Sequence, residues 1–196
     1  MRIKLLAAAL AALIAVAGAV AWFSGSFRTN NSGGIANIGG PFTLASAKGG
    51  EVSSESLKGK PYALFFGFTH CPEVCPTTLY EMSSTLAKLG NDAKDFRVFF
   101  ITVDPERDTL AAMKDYVANF DARMEALVPT PDQLQQIARD FRVYFAKVPT
   151  SDGGYTMDHT ATIFLMNAEG HFAGTIAFGE APEMREAKLR RLLKGS

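Results

Sequence analysis

The chain has 196 residues, 47% of them hydrophobic and 20% charged, which gives room for one domain with a sizeable core and is too apolar for a disordered chain. Twenty basic side chains balance twenty acidic ones and no basic block occurs, so nucleic-acid binding has no electrostatic support.

MRIK opens the chain with two positive charges, and LLAAALAALIAVAGAVAWF (5–23) follows without a charged residue. That run is long enough to cross a bilayer as a helix. It shares features with a secretory signal, including candidate cleavage sites at Ala15-Val16-Ala17 and Ala19-Val20-Ala21. It is longer than the usual signal core, however, and Trp22 and Phe23 suit a membrane interface. An uncleaved N-terminal transmembrane helix over 1–23 is therefore expected rather than a cleaved signal. With Arg2 and Lys4 held inside, the remainder faces outward: a single pass through a bacterial inner membrane, with the folded domain in the periplasm. Either outcome places the two cysteines in a compartment where they oxidise readily. Without Arg2 and Lys4, 18 basic groups face 20 acidic ones.

Residues 24–40 (SGSFRTNNSGGIANIGG) are rich in Ser, Gly and Asn and read as a flexible linker, so the folded domain is expected over 41–196. PFTLAS starts it with a short strand, a Lys48-Gly49-Gly50 turn and a second short strand. YALFFGF (62–68) is a buried strand, because it is continuously apolar, aromatic-rich and too short for a typical helix. Helical spacing of Leu79, Met82, Leu86 and Leu89 predicts a helix that stops at Gly90. FRVFFITV (96–103) is a second buried strand. A loop and then a helix follow over 104–120, with Leu110, Met113, Val117 and Phe120 on one face. A short strand is expected over 124–128, and a helix over 131–141 with Pro131 in its first turn. Residues 143–148 are extended and 151–154 turn. Strands over 161–166 and 172–178 form a hairpin, and a helix over 182–193 closes the chain. Strands alternating with helices, then a hairpin and a last helix, predict an α/β domain with a mixed central sheet flanked by helices: a thioredoxin-like fold. That fold places its active cysteines where a central strand turns into a helix, and FFGFTHCPEVCPTT (65–78) stands there.

Cys71 and Cys75 are the only cysteines, four residues apart. A purely structural disulfide closing so short a loop gains little. Pro76 lacks an N–H and is comfortable only in a first helical turn, so the helix begins near Cys75 and both sulfurs lie at a helix N-terminus, where thiolate is favoured. Such thiolates are nucleophiles and metal ligands alike. Two of them with one imidazole suit three-coordinate Cu(I) and also hold Cu(II), whereas zinc prefers a fourth ligand. Three histidines compete for that third place. His70 abuts Cys71 but is expected to aim away from the sulfurs, and His171 lies in a hairpin turn facing solvent. His159 follows a polar loop and precedes a buried strand; residue reasoning alone leaves it open between an ordinary loop histidine and a ligand. In DPERD (104–108), Asp104, Arg107 and Asp108 are read as a structural ion-pair cluster, with Asp108 able to cap the next helix.

Together FFGFTHCPEVCPTTL (65–79), ITVDPERDT (101–109) and YTMDHTATIFLMN (155–167) resemble the Sco/SenC family, the copper chaperones of cytochrome c oxidase assembly, over about residues 37–195. The resemblance implies one copper bound by Cys71, Cys75 and His159, and an N-terminal membrane anchor. It also implies delivery of copper, or of reducing equivalents, to the CuA-bearing subunit of cytochrome c oxidase, with an upstream copper donor or thiol reductant as a further partner. Glu73 stands where family members often carry Asp, and Thr160 where they often carry Ser; both swaps keep the functional group. Two enzymatic readings stand beside it. A thiol–disulfide oxidoreductase keeping partner cysteines reduced needs only Cys71 and Cys75. A thiol peroxidase needs an arginine beside its thiolate, for which Arg107 is the candidate.

Overall fold

The computed structural model of the protein describes residues 38–195. The helix expected over 1–23 and the linker up to residue 37 lie outside the described residues. Among the described residues, no helix is long and apolar enough to cross a membrane.

Nine strands and four α-helices make up the described part. The strands are β1 (Thr43–Ser46), β2 (Glu51–Ser53), β3 (Tyr62–Gly67), β4 (Arg97–Thr102), β5 (Met124–Val128), β6 (Phe145–Pro149), β7 (Tyr155–His159), β8 (Thr162–Met166) and β9 (Phe172–Ala177). The helices are α1 (Val74–Leu89), α2 (Leu110–Val117), α3 (Pro131–Phe141) and α4 (Pro182–Leu193). Seven strands form one mixed sheet in the order β2-β1-β5-β4-β3-β8-β9. Its centre, β3 with β4 and β4 with β5, is parallel, and the outer pairs are antiparallel. Helices flank this sheet, with α1 packed on α4 and α2 on β5. The mixed α/β arrangement agrees with expectation. β6 and β7 pair only with each other, as a separate two-stranded arm.

β3 is buried at all six positions because β4 and β8 cover its edges and other elements cover both faces, which is why its sequence is apolar without alternation. Its phenylalanines found the core: Phe65 stacks on Phe100 at 5.8 Å, and Phe66 meets Phe141 and Phe164 at 5.9 Å each. α1 starts one residue before Cys75, so Pro76 falls in the first turn, where its missing N–H costs nothing. Cys75, Leu79, Met82, Leu86 and Leu89 form the buried face of α1, which stops at Gly90, φ 53°. α3 opens with a reciprocal cap: the Thr130 side chain accepts from Gln133 N–H while the Gln133 side chain accepts from Thr130 N–H.

Four details differ from the sequence reading. Residues 155–159, expected as loop, form β7. The extended segment expected from 143 begins at Phe145, because Val143 is taken up in closing α3, its N–H donating to Ala138 O at 2.8 Å. Leu110 is 43% exposed: it is the first residue of α2, and Met113 and Val117 carry the buried stripe alone. The α2 cap is Thr109, whose side chain accepts from Ala112 N–H, and not Asp108. Asp108 turns back into the protein instead, toward Thr69 and Thr102.

Candidate metal centre

β3 carries the chain straight into the cysteine loop. Thr69, two residues before Cys71, is pinned by Asp108: its N–H donates to one carboxylate oxygen at 3.0 Å and its hydroxyl to the other at 2.5 Å. Thr102 at the end of β4 donates to the same carboxylate at 2.6 Å. Asp108 is fully buried, so these bonds replace its water entirely. Cys71 then lies just ahead of α1, where its sulfur accepts the Cys75 N–H at 3.3 Å. Cys75 is fully buried against Gly67, where an added Cβ would lie 2.6 Å from the sulfur and 2.7 Å from the Phe100 ring.

The third group comes from the arm. His159 ends β7, with its ring edge-on to Phe68 at 5.7 Å and Phe65 at 6.4 Å. Its Nδ1 is 3.1 Å from Thr160 O. A carbonyl only accepts, so Nδ1–H donates to it, and this leaves Nε2 as the ring atom facing the sulfurs, 3.6 Å from Cys75 Sγ. The ligand atoms of Cys71, Cys75 and His159 all lie within 4.8 Å of one another. Thus the three residues singled out from the sequence converge on one point.

Their electrostatics divide the sulfurs into unequal partners. Cys71 is pushed down to about 4, first by the hydrogen bond from the Cys75 thiol, then by His159 and by the backbone N–H groups of Cys75 and Glu73. Cys75 is pushed up, by donating its proton to Cys71, by burial and by the Cys71 charge. The reduced pair is therefore one thiolate and one thiol sharing a proton between them. In the reduced, metal-free protein, one thiol should react with iodoacetamide at a rate nearly flat from about pH 6 to pH 8, where an ordinary thiol accelerates about a hundredfold. A steep rise for both thiols, followed by mass spectrometry, would contradict this division.

The other candidates fall elsewhere. His70 sits in a turn with its side chain 56% exposed and Nδ1 3.0 Å from Thr69 Oγ1. His171 and Glu73 are exposed. Arg107 pairs with Asp104, donates to Tyr155 O at 2.9 Å, and lies over the rings of Tyr155 and Phe68. Its charge is spent on the arm, not on a sulfur, and the peroxidase reading loses its arginine. Sequence reasoning missed Gly67, Thr69, Tyr116 and Tyr155. Tyr116 stacks on Phe100 at 5.6 Å with a buried, unpartnered hydroxyl; burial first, and then the negative Cys71 and Asp108, push its pKa up.

Comparison with known proteins points one way. ScoI of Bradyrhizobium japonicum, solved with copper bound, is 49% identical, with a TM-score of 0.73 over 79% of this chain and 99% of that one. BsSco, described as a member of the Sco family of cytochrome c oxidase assembly proteins with a disulfide switch, is 25% identical, with a TM-score of 0.63 over 80% of this chain and 94% of that one. The mitochondrial SCO1 homolog 1 of Arabidopsis thaliana is 39% identical over 72% of this chain, which spans 42% of the length of that curated relative. The family model described as SCO1/SenC matches residues 30–194, most of the sequence and every part of the site, and the chain belongs to that family.

Proposed function

We propose that this protein is a copper metallochaperone: it holds one copper between Cys71, Cys75 and His159 and delivers it toward the CuA-bearing subunit of cytochrome c oxidase. In this reading its N-terminal segment anchors it in a bacterial inner membrane with the folded domain, residues 41–196, in the periplasm. The observation that carries the reading is the convergence of two sulfurs and one imidazole nitrogen within 4.8 Å. Two soft thiolates with one imidazole fit three-coordinate Cu(I), and no fourth Cys, His, Asp or Glu joins the group among the described residues, as zinc would want. Relatives support the same role: one is solved with copper bound, and another is named among oxidase assembly proteins.

The chain's own groups do the following. Cys71 offers a thiolate at once. Cys75 gives up its raised proton only when metal charge replaces the Cys71 hydrogen bond, so loading releases a proton. His159, held by Thr160 O, presents Nε2. Oxidation of the pair to a disulfide removes two electrons and the one proton the pair shares, and leaves neither thiolate to bind, so the redox state of the partner environment gates loading.

An anaerobic Cu(I) competition titration of the reduced protein tests this. One copper per chain is expected, with affinity falling at least about tenfold in His159→Ala. Binding that is weak, or indifferent to His159, overturns the ligand set. The activated Cys71 beside a buried partner thiol also supports a second reading, a thiol–disulfide oxidoreductase. Exchange activity that survives in His159→Ala while copper affinity is lost separates the two roles.

A further inference from the structure

We propose that Arg107 and Tyr155 form a latch that holds the β6–β7 arm closed, and so set whether His159 stands beside the sulfurs. The proposal rests on the reading of His159 as a ligand and adds to it the means by which the third ligand is presented or withdrawn.

The arm is a separate two-stranded sheet, with Met157 its one buried residue and the outer part of β6 exposed. At its base, Tyr144 and Thr160 exchange two hydrogen bonds of 3.0 Å. Beyond the base, among the described residues, the hydrogen bonds from the arm to the body all reach the loop after β4, apart from the contact of His159 with Cys75. Tyr155 O–H donates to Asp104 at 2.9 Å, Arg107 Nη1 donates to Tyr155 O at 2.9 Å, and Lys147 Nζ donates to Glu106 at 2.6 Å. The last pair is exposed and holds little. Asp104 is buried, and Arg107 lies 3.8 Å over the Tyr155 ring, so the holding force sits there.

Strand geometry couples the latch to the ligand. Along β7, Tyr155, Met157 and His159 share one face, while Asp158 is exposed. Fixing Tyr155 therefore fixes the face that His159 presents four residues on. Arg107 reinforces it from behind, 5.9 Å over the Phe68 ring against which the His159 ring leans. Because the arm buries little, it belongs to the low-stability part of the molecule, where local opening precedes global unfolding. An open arm leaves two sulfurs without the imidazole, which is a weaker site and one from which a partner's ligands can take over.

The test uses the reduced full chain with Arg107→Met, Tyr155→Phe and His159→Ala. Amide hydrogen exchange over 155–159 in the metal-free protein should accelerate at least tenfold in Arg107→Met and by less in Tyr155→Phe, with the β3 and β4 amides unchanged. Cu(I) affinity should fall at least fivefold in Arg107→Met, yet Arg107→Met added to His159→Ala should change affinity by less than twofold, because the lost contact acts through His159. Equal losses in both backgrounds, or unchanged exchange in the arm with native affinity, would overturn the latch. If His159→Ala alone leaves affinity untouched, the ligand reading fails, while arm exchange still decides whether Arg107 and Tyr155 hold the arm. Tyr155→Phe keeps the ring under Arg107 and serves if Arg107→Met does not fold.

Discussion

Asp108→Ala is expected to destabilise the reduced, metal-free protein by about 4 kcal/mol, a cost of the size that breaking a buried network produces. The carboxylate is fully buried and accepts three hydrogen bonds, from Thr69 N–H, Thr69 O–H and Thr102 O–H. Alanine leaves the Thr69 N–H and the Thr102 O–H without partners, at about 1–3 kcal/mol each before relaxation, while the half-buried Thr69 hydroxyl keeps only His70 Nδ1 within reach, at 3.0 Å. Asp108→Asn keeps the shape and one accepting oxygen, and its amide can donate to a threonine hydroxyl turned to receive it, so it should cost about 1–2 kcal/mol. Urea unfolding monitored by tryptophan-independent far-UV circular dichroism measures both. A midpoint shift at constant slope is the expected form. Thr69 lies two residues before Cys71, so the alanine variant should also loosen the cysteine loop, and Cu(I) affinity should fall more than in the asparagine variant. Equal, small costs for the two substitutions would mean that the loop is held by other contacts.

This carboxylate also shows where sequence reasoning stops. DPERD was legible as a cluster of paired charges, and Asp104 with Arg107 forms one. What could not be read was direction. Asp108 and Thr109 are both good helix caps, and only the position of Thr69, thirty-nine residues earlier, makes Asp108 face inward and leaves the cap to Thr109. The buried strands were legible because a strand covered on both sides must be apolar throughout, and YALFFG and VFFI are. The start of α1 was legible because proline permits so few helical positions. β7 was not, although YTMDH alternates inward and outward residues: five residues after a Gly-Gly turn, half of them polar, carry too weak a period-2 signal. For the same reason His159 looked like a loop histidine, and only the family resemblance singled it out. Its convergence with the cysteines needs β6–β7 to fold back over the sheet end, which is tertiary information.

Gly67→Ala should damage the site while leaving the chain able to fold. Gly67 ends β3 in ordinary extended backbone, so alanine meets no conformational penalty there, and the whole cost is steric. The new methyl group would lie 2.6 Å from Cys75 Sγ and 2.7 Å from Phe100, distances that force something to move. Phe100 has little freedom, stacked between Phe65 at 5.8 Å and Tyr116 at 5.6 Å in the middle of the sheet. The sulfur must therefore yield, either by leaving its rotamer or by carrying the first turn of α1 outward. Overpacking of this kind costs about 1–3 kcal/mol. More telling is the site: moving Cys75 Sγ away from Cys71 and His159 should lower Cu(I) affinity at least about tenfold and weaken the shared proton that makes Cys71 a thiolate. Cys71 alkylation should then regain a rise between about pH 6 and pH 8. Adding Phe100→Leu, which vacates part of the ring's space, should restore affinity in part, although it opens a cavity elsewhere. Rescue of copper affinity without rescue of stability would tie the loss to the displaced sulfur. An alanine variant with native affinity would show instead that α1 slides clear of the new methyl group at no cost, and that the place of Cys75 is not set by the missing side chain at Gly67.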